Sequence, residues 1–388
     1  MKIQCMSLKV LDKSLDDYLG SIFILSHSHS TVSTYRLALT NKNKTGFREF
    51  LSLKYSIDEF ELVEKVQKNS FDVYKILNEF VVFLDSHGYK PKSIMTRMAA
   101  IKGYLRNLGL RFNSEDYKQM VRIPKNIRQR EEPVTKELIA KLQRNLPPKL
   151  QTVILVLSSS GIRLGELVQL ELDDVDFTTQ PTTLRLRAET TKTRTERETF
   201  LTTEATNSLK EYLKRSFEWD ENKENFHLKN IKIFGRTSKI INLKRKSNPV
   251  QPLHLHAESL LHGSLRYFLE KNPELDSRNK NGRKIVHFHA FRKYFRTTVG
   301  NVCGRDFAEE LMGHGFYMDT YYQLSIEKRQ EMYLQAEPHL TISDFKAVEK
   351  NMKVLSTKYQ NLESKVDDLM SYLRTNSIEV PEFLLTKS

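Results

Sequence analysis

Residues 161–167 read Gly161-Ile162-Arg163-Leu164-Gly165-Glu166-Leu167, and Leu170–Phe177 continue as LELDDVDF. Arg163 and Glu166 stand three residues apart, so on a helical turn the carboxylate can hold the guanidinium. Leu164, Leu167 and Val168 share an apolar face. Taken alone, the motif is explained as well by a surface ion pair as by a functional site. Upstream, the apolar run Gln151–Ser160 reads as a buried helix or, by period alone, a buried strand. Downstream, Thr182–Arg187 and Glu196–Leu201 alternate and read as strands of a small antiparallel sheet, joined across the polar stretch Ala188–Thr195. Ile231–Phe234 reads as another short strand. Leu260–Glu270, His289–Val299 and Arg305–Met312 carry helical patterns, and Thr135 caps a helix with Glu137 in its first turn.

Further toward the N-terminus the pattern is wholly helical. Asp72–Ser86 puts Val73, Ile76, Leu77, Phe80, Val81 and Leu84 on one face, and Pro91–Leu108 does the same with Ile94, Met98, Ile101, Leu105 and Leu108. Lys92, Arg97, Lys102 and Arg106 line the other face of that second helix. Gly88 and Gly109 are placed to stop the two helices. Tyr35, Leu37, Phe47, Phe50 and Leu51 suggest a further helix pair. Arg122–Pro133 is basic, poor in apolar residues and carries two prolines, so it reads as an exposed linker. At the far end, Phe345, Val348, Met352, Leu355, Tyr359, Leu362, Val366, Leu369 and Leu373 follow steps of three and four, an a/d heptad pattern that favours self-association. The expected fold class is therefore α+β, mostly α. Residues 1–125 form a helical domain, 126–134 a basic linker, 135–342 a mixed domain with the small sheet, and 343–388 a heptad helix with a loose end.

The chain has 388 residues, and 62 Lys+Arg against 48 Asp+Glu leave a formal charge of +14. That excess on a folded chain points to a polyanion, with nucleic acid the first candidate. Two cysteines, Cys5 and Cys303, exclude a disulfide framework and fit a reducing compartment. The longest apolar run, Val153–Leu157, is far too short to span a bilayer. A cytoplasmic, DNA-associated protein without a membrane segment is the expectation.

Two more segments carry chemistry. In His287-Phe288-His289-Ala290-Phe291-Arg292, the three phenylalanines Phe288, Phe291 and Phe295 mark a core face, and His289 and Arg292 stand at i,i+3. An imidazole and a guanidinium on adjacent turns suit an oxyanion. In Leu311-Met312-Gly313-His314-Gly315, a histidine is followed closely by Tyr321-Tyr322. Each motif is weak alone; the ordered set Arg…His-x-x-Arg…Gly-His…Tyr is far more specific. Three His-x-His pairs invite a metal reading, but zinc needs three or four ligands and no HExxH occurs, so no metal site is expected.

With these motifs in order, the chain resembles the tyrosine recombinase (phage integrase) family over most of residues 133–325, and residues 1–125 resemble that family's core-binding domain. The resemblance makes Arg163 the first catalytic arginine, Glu166 its acidic supporter, Lys192 the hairpin lysine, and His289 and Arg292 the H-x-x-R box. His314 is the Gly-His element and Tyr322 the nucleophile, with Tyr321 as the alternative. Lys293 stands where many members have another histidine, and the interval from His314 to the tyrosines is slightly short. The implied reaction is cleavage and rejoining of duplex DNA through a 3′-phosphotyrosyl intermediate, without metal, ATP or other cofactor. The absence of a G-x-x-x-x-G-K-[ST] loop agrees with this. Phosphate contacts are assigned to Lys92, Arg97, Lys102, Arg106, Lys125, Arg128 and Arg130. Partners are double-stranded DNA and further copies of the chain in a synaptic tetramer. The competing readings are a type IB topoisomerase-like relaxing enzyme and a non-catalytic DNA-binding protein.

Overall fold

Among the described residues, seven helices build the first of two units, Met1–Gln129. They are α1 (Lys2–Ser26), α2 (His29–Leu39), α3 (Phe47–Tyr55), α4 (Glu59–Gln67), α5 (Val73–Ser86), α6 (Pro91–Asn107) and α7 (Ser114–Met120). The computed structural model describes residues 2–41, 43–125, 132–223, 228, 230–235, 253–279, 282–313, 324–343, 362 and 364–366. Local chemistry sets the helix ends. The Asp72 carboxylate accepts from the backbone N–H of Tyr74 at 2.8 Å and starts α5. Pro91 opens α6, where its missing N–H costs nothing. Gly88 and Gly109, just past α5 and α6, take the left-handed backbone that stops a helix. The unit's core is aromatic: the Phe80 ring meets Phe47 edge-on at 5.2 Å and lies 5.1 Å from Phe50.

The second unit, Arg130–Ser388, adds α8 (Lys136–Asn145), α9 (Pro148–Ser160), α10 (Leu164–Leu167), β1 (Val175–Asp176), β2 (Thr182–Leu186), β3 (Arg197–Leu201) and α11 (Thr203–Phe217). Then follow α12 (Leu253–Lys271), α13 (Phe288–Cys303), α14 (Arg305–Met312) and α15 (Ile326–Leu340). The architecture is α+β and mostly α. The strands form one antiparallel sheet in the order β1-β2-β3, with Val175 opposite Leu184 and Leu186 opposite Arg197. No described helix is long and apolar enough to cross a membrane.

Helix α9 is the centre of this unit. Residues 152–160 are buried without a break, and α11, α13, α15 and β3 pack around it. The apolar run thus resolves as helix, and Thr135 caps α8 by accepting from the Leu138 N–H at 3.3 Å. A helix ending inside a protein must find donors for its last carbonyls. Here three elements supply them. The Tyr333 hydroxyl of α15 donates to the Ser159 carbonyl at 2.7 Å, the Thr199 hydroxyl of β3 donates to the Ser160 carbonyl at 2.8 Å, and the Arg292 guanidinium of α13 donates to the Gly161 carbonyl.

One sequence expectation needs correction, and two elements were not foreseen. Ile231–Phe234 makes no strand: Lys232 forms a lone bridge with Glu171, and the Ile233 N–H donates to the Leu170 carbonyl at 2.9 Å. The two-residue strand β1, inside LELDDVDF, had no visible period at that length. Helix α15 was not foreseen either, because Pro338 lies inside it and only Tyr333, Ala336 and Leu340 turn inward. The heptad run falls outside the described residues except at 362 and 364–366, which are helical.

Gly161 has φ +65°, and a Cβ there would collide with the buried Phe295 ring. Gly161→Ala should destabilise the protein by about 2–5 kcal/mol, the sum of about 1–2 for the left-handed backbone and about 1–3 for overpacking. Urea unfolding measures it; an unchanged midpoint would contradict the account.

Candidate active site

Arg163 is the residue before α10, two positions past the αL turn at Gly161. Its position is set by Glu166, which is 2% exposed. One carboxylate oxygen accepts from the Arg163 guanidinium at 2.8 Å; the other accepts from the Arg163 backbone N–H at 2.7 Å. The side chain of Arg163 is 26% exposed, so its guanidinium meets solvent while its partner does not. Burial pushes the Glu166 carboxyl upward. The Arg197 guanidinium, the Arg163 N–H and the Arg163 guanidinium outweigh that and hold its pKa below the ordinary carboxylate value.

Arg292 sits deeper, at 1% exposure. Besides the Gly161 carbonyl, its guanidinium donates to the Met312 carbonyl at 2.7 Å. Both carbonyls lie at helix C-termini, those of α9 and α14, where a cation is favoured by the helix dipole. Burial and the nearby Arg163 charge lower its pKa. His289 and Arg292, one turn apart, therefore do not face the same way. His289 opens to solvent while Arg292 turns inward toward two helix ends. The protein packed beneath His289, then the charges of Lys293, Arg292 and Arg163, hold the imidazole below its ordinary 6.5. That lowering favours the neutral imidazole at neutral pH.

Lys192 is exposed on the connection between β2 and β3. That connection is closed at its neck by Thr191, whose hydroxyl donates to the Thr195 carbonyl at 3.0 Å and accepts from the Thr195 N–H at 3.1 Å. His314, Tyr321 and Tyr322 lie outside the described residues, as do Arg128 and Arg130. The chain before them ends α14 at Gly313, and after them Leu324 and Ile326 pack on the core of this same unit.

One member of the cluster escaped the sequence reading. Arg197, the first residue of β3, reaches the second oxygen of Glu166 at 2.6 Å and donates from Nε to the Leu311 carbonyl at 3.2 Å. The strand alternation puts Arg197 on one face with Thr199, and the structure buries that face, where an arginine needs a partner. Two guanidinium groups thus hold one carboxylate while the charge of Arg292 acts on the same cluster, and the excess positive charge suits a bound oxyanion. Among the described residues, no group of three or more His, Cys, Asp or Glu side chains is placed to hold a metal.

On the first unit, Lys92, Arg106 and Lys125 are exposed, and Lys102 lies 4.4 Å above the Tyr117 ring. Arg97 departs from this row. Its guanidinium donates to the carbonyls of Leu37 and Thr45 at 3.1 and 3.2 Å and stacks on Tyr89, so it ties the unit's own backbone.

Residues 130–320 match the model of the Phage integrase family. The chain is similar to tyrosine recombinase XerA of Thermococcus kodakarensis, 30% identical over 101 residues, covering 25% of this chain and 34% of that protein. It is also similar to tyrosine recombinase XerC of Treponema denticola, 29% identical over 187 residues, covering 47% of this chain and 54% of that protein. The matched segments thus span between a third and about half of these relatives. Among solved structures, a lambda integrase dimer bound to a COC′ core site aligns with 81% of this chain and 80% of that one, at 14% identity and a TM-score of 0.48.

Because the Glu166 pKa is lowered on folding, its stabilisation is fully present above the ordinary 4.5 and is lost as pH falls below it through the folded value. Glu166→Gln should cost on the order of 3 kcal/mol at pH 7, since two guanidinium groups lose their carboxylate. The gap from the natural protein should shrink as pH drops below 4.5. Thermal unfolding across this range tests it; a gap independent of pH would show that the charge of Glu166 is not what stabilises.

Proposed function

We propose, from the match of residues 130–320 to the phage integrase family, that this protein is a site-specific DNA recombinase acting through a covalent tyrosyl intermediate. The observation that carries the proposal is that Arg292 reaches back 131 residues to the Gly161 carbonyl at the end of α9, two positions before the Arg163 that Glu166 holds. Such a convergence has no purpose for a surface ion pair, and its excess charge fits a phosphodiester.

The chemistry follows from these groups. The phenolic oxygen of Tyr322, with Tyr321 as the alternative, attacks the scissile phosphorus. The bond from phosphorus to the 5′-oxygen breaks, and a 3′-phosphotyrosyl ester forms. The phenol's proton goes to His289, whose neutral imidazole can accept it, and the departing 5′-oxygen takes a proton from Lys192. Arg163 offers the phosphate a forked pair of donors that lysine lacks. Arg292 supplies charge from behind, and His314 donates to a phosphate oxygen. A 5′-hydroxyl from another strand then reverses the steps. The ester keeps the bond energy, so no ATP is consumed.

Duplex DNA is the proposed substrate, with Lys92, Lys102, Arg106 and Lys125 contacting backbone phosphates in the first unit. Exchange between two duplexes cuts four strands, so a tetramer is the proposed working form. The heptad run is the segment we assign to self-association.

The DNA site is found by incubating the protein, in EDTA, with a random-sequence duplex library and recovering strands that stay attached after SDS. A nicked duplex carrying the recovered site then traps the adduct. The adduct should vanish in Tyr322→Phe; loss only in Tyr321→Phe moves the nucleophile by one residue, and no adduct from the natural protein sinks the proposal. Arg163→Lys should slow cleavage by about 10²–10³-fold while DNA affinity is retained. Because His289 acts as a base with a lowered pKa, the single-turnover rate should be flat near neutral pH and fall only below 6.5. A rate that falls toward high pH across the neutral range would assign His289 the opposite role.

A further inference from the structure

Arg197 belongs to none of the motifs that mark the family resemblance, yet it touches each side of the site. Its Nη2 shares Glu166 with Arg163, at 2.6 Å. Its Nε donates to the Leu311 carbonyl in the last turn of α14. Its side chain, 8% exposed, fills the space beside Gly313, where a Cβ would lie 2.7 Å from Arg197 Cδ. Gly313 has φ +66° and is the residue immediately before His314. Five residues back along the chain from Arg197 stands Lys192, at the closed neck of the same connection.

We propose that Arg197 is a positioning residue for strand cleavage: by bridging Glu166 and the end of α14, it fixes the Arg163 guanidinium relative to the chain that enters the His314 segment. The inference rests on the recombinase reading. The physical reason lies in the fork of the guanidinium. Nε and Nη2 are donors fixed in one rigid plane, so a single side chain holds a carboxylate and a carbonyl at a fixed separation. An ammonium group can satisfy either partner but cannot hold the two rigidly. Without the bridge, Glu166 keeps only Arg163, and the Arg163 guanidinium regains freedom that the reaction must then remove.

Arg197→Lys and Arg197→Gln are compared with the natural protein on the nicked substrate described above, each well below its own unfolding midpoint. Single-turnover cleavage should slow by about 10- to 100-fold while DNA affinity is retained. In an Arg163→Ala background, where no guanidinium is left to position, Arg197→Lys should cost little further rate. Undiminished cleavage by both folded variants overturns the proposal. So does a parallel loss of binding and cleavage, or a full multiplicative loss in the Arg163→Ala background. If the natural protein itself forms no adduct, the recombinase reading fails; an adduct indifferent to Arg197 defeats this inference alone.

Discussion

The second unit is organised by the problem of ending a buried helix. Helix α9 runs through the core with residues 152–160 enclosed, so its last carbonyls have no water to turn to. An unpaired buried carbonyl costs about 1–3 kcal/mol. Tyr333, Thr199 and Arg292 each answer one of them, and they arrive from α15, β3 and α13. Three elements distant in the chain are thereby pinned to one point. The loop that leaves this point carries Arg163, so the requirement for capping also sets where Arg163 lies.

The same constraint explains why the site tolerates so much positive charge. A buried guanidinium is costly unless its donors are satisfied. Arg292 donates to two helix C-termini, whose dipoles favour a cation without cancelling its formal charge. Arg197 takes one oxygen of Glu166 and Arg163 the other. One carboxylate among three guanidinium groups leaves a surplus. All three have backbone or carboxylate partners, and Arg163 is the member of this cluster whose guanidinium also reaches solvent.

Much of this was legible in the sequence, for physical reasons that differ by element. Helices α5 and α6 showed because a full 3.6-residue stripe runs along each, bounded by Asp72 and Gly88 or by Pro91 and Gly109. Arg163 and Glu166 showed because their interaction is local. Arg197 did not, since its partners Glu166 and Leu311 lie 31 and 114 residues away. Arg97 misled for a related reason: its helix face is polar, but the end of α2 and the loop after it fold over it, and the carbonyls of Leu37 and Thr45 take the guanidinium. Helix α15 was hidden by Pro338, which removes a donor from a helix whose inward face is already narrow.

A division of labour follows from where the charges sit. Groups that must hold still, Arg292 and Glu166, are enclosed and bonded to backbone or to one another, so their geometry costs no reorganisation when an anion arrives. Groups assigned to move protons, His289 and Lys192, are exposed, one on a helix and the other on a short closed loop. Exposure keeps the lysine's stem free to follow a departing oxygen, which a buried ammonium could not do without losing its charge. Exchanging these environments would fail in both directions: a buried lysine would tend to neutrality, and a solvent-facing Arg292 would leave the Gly161 and Met312 carbonyls without this donor. The burial pattern is therefore itself an argument for which arginine orients and which residue transfers.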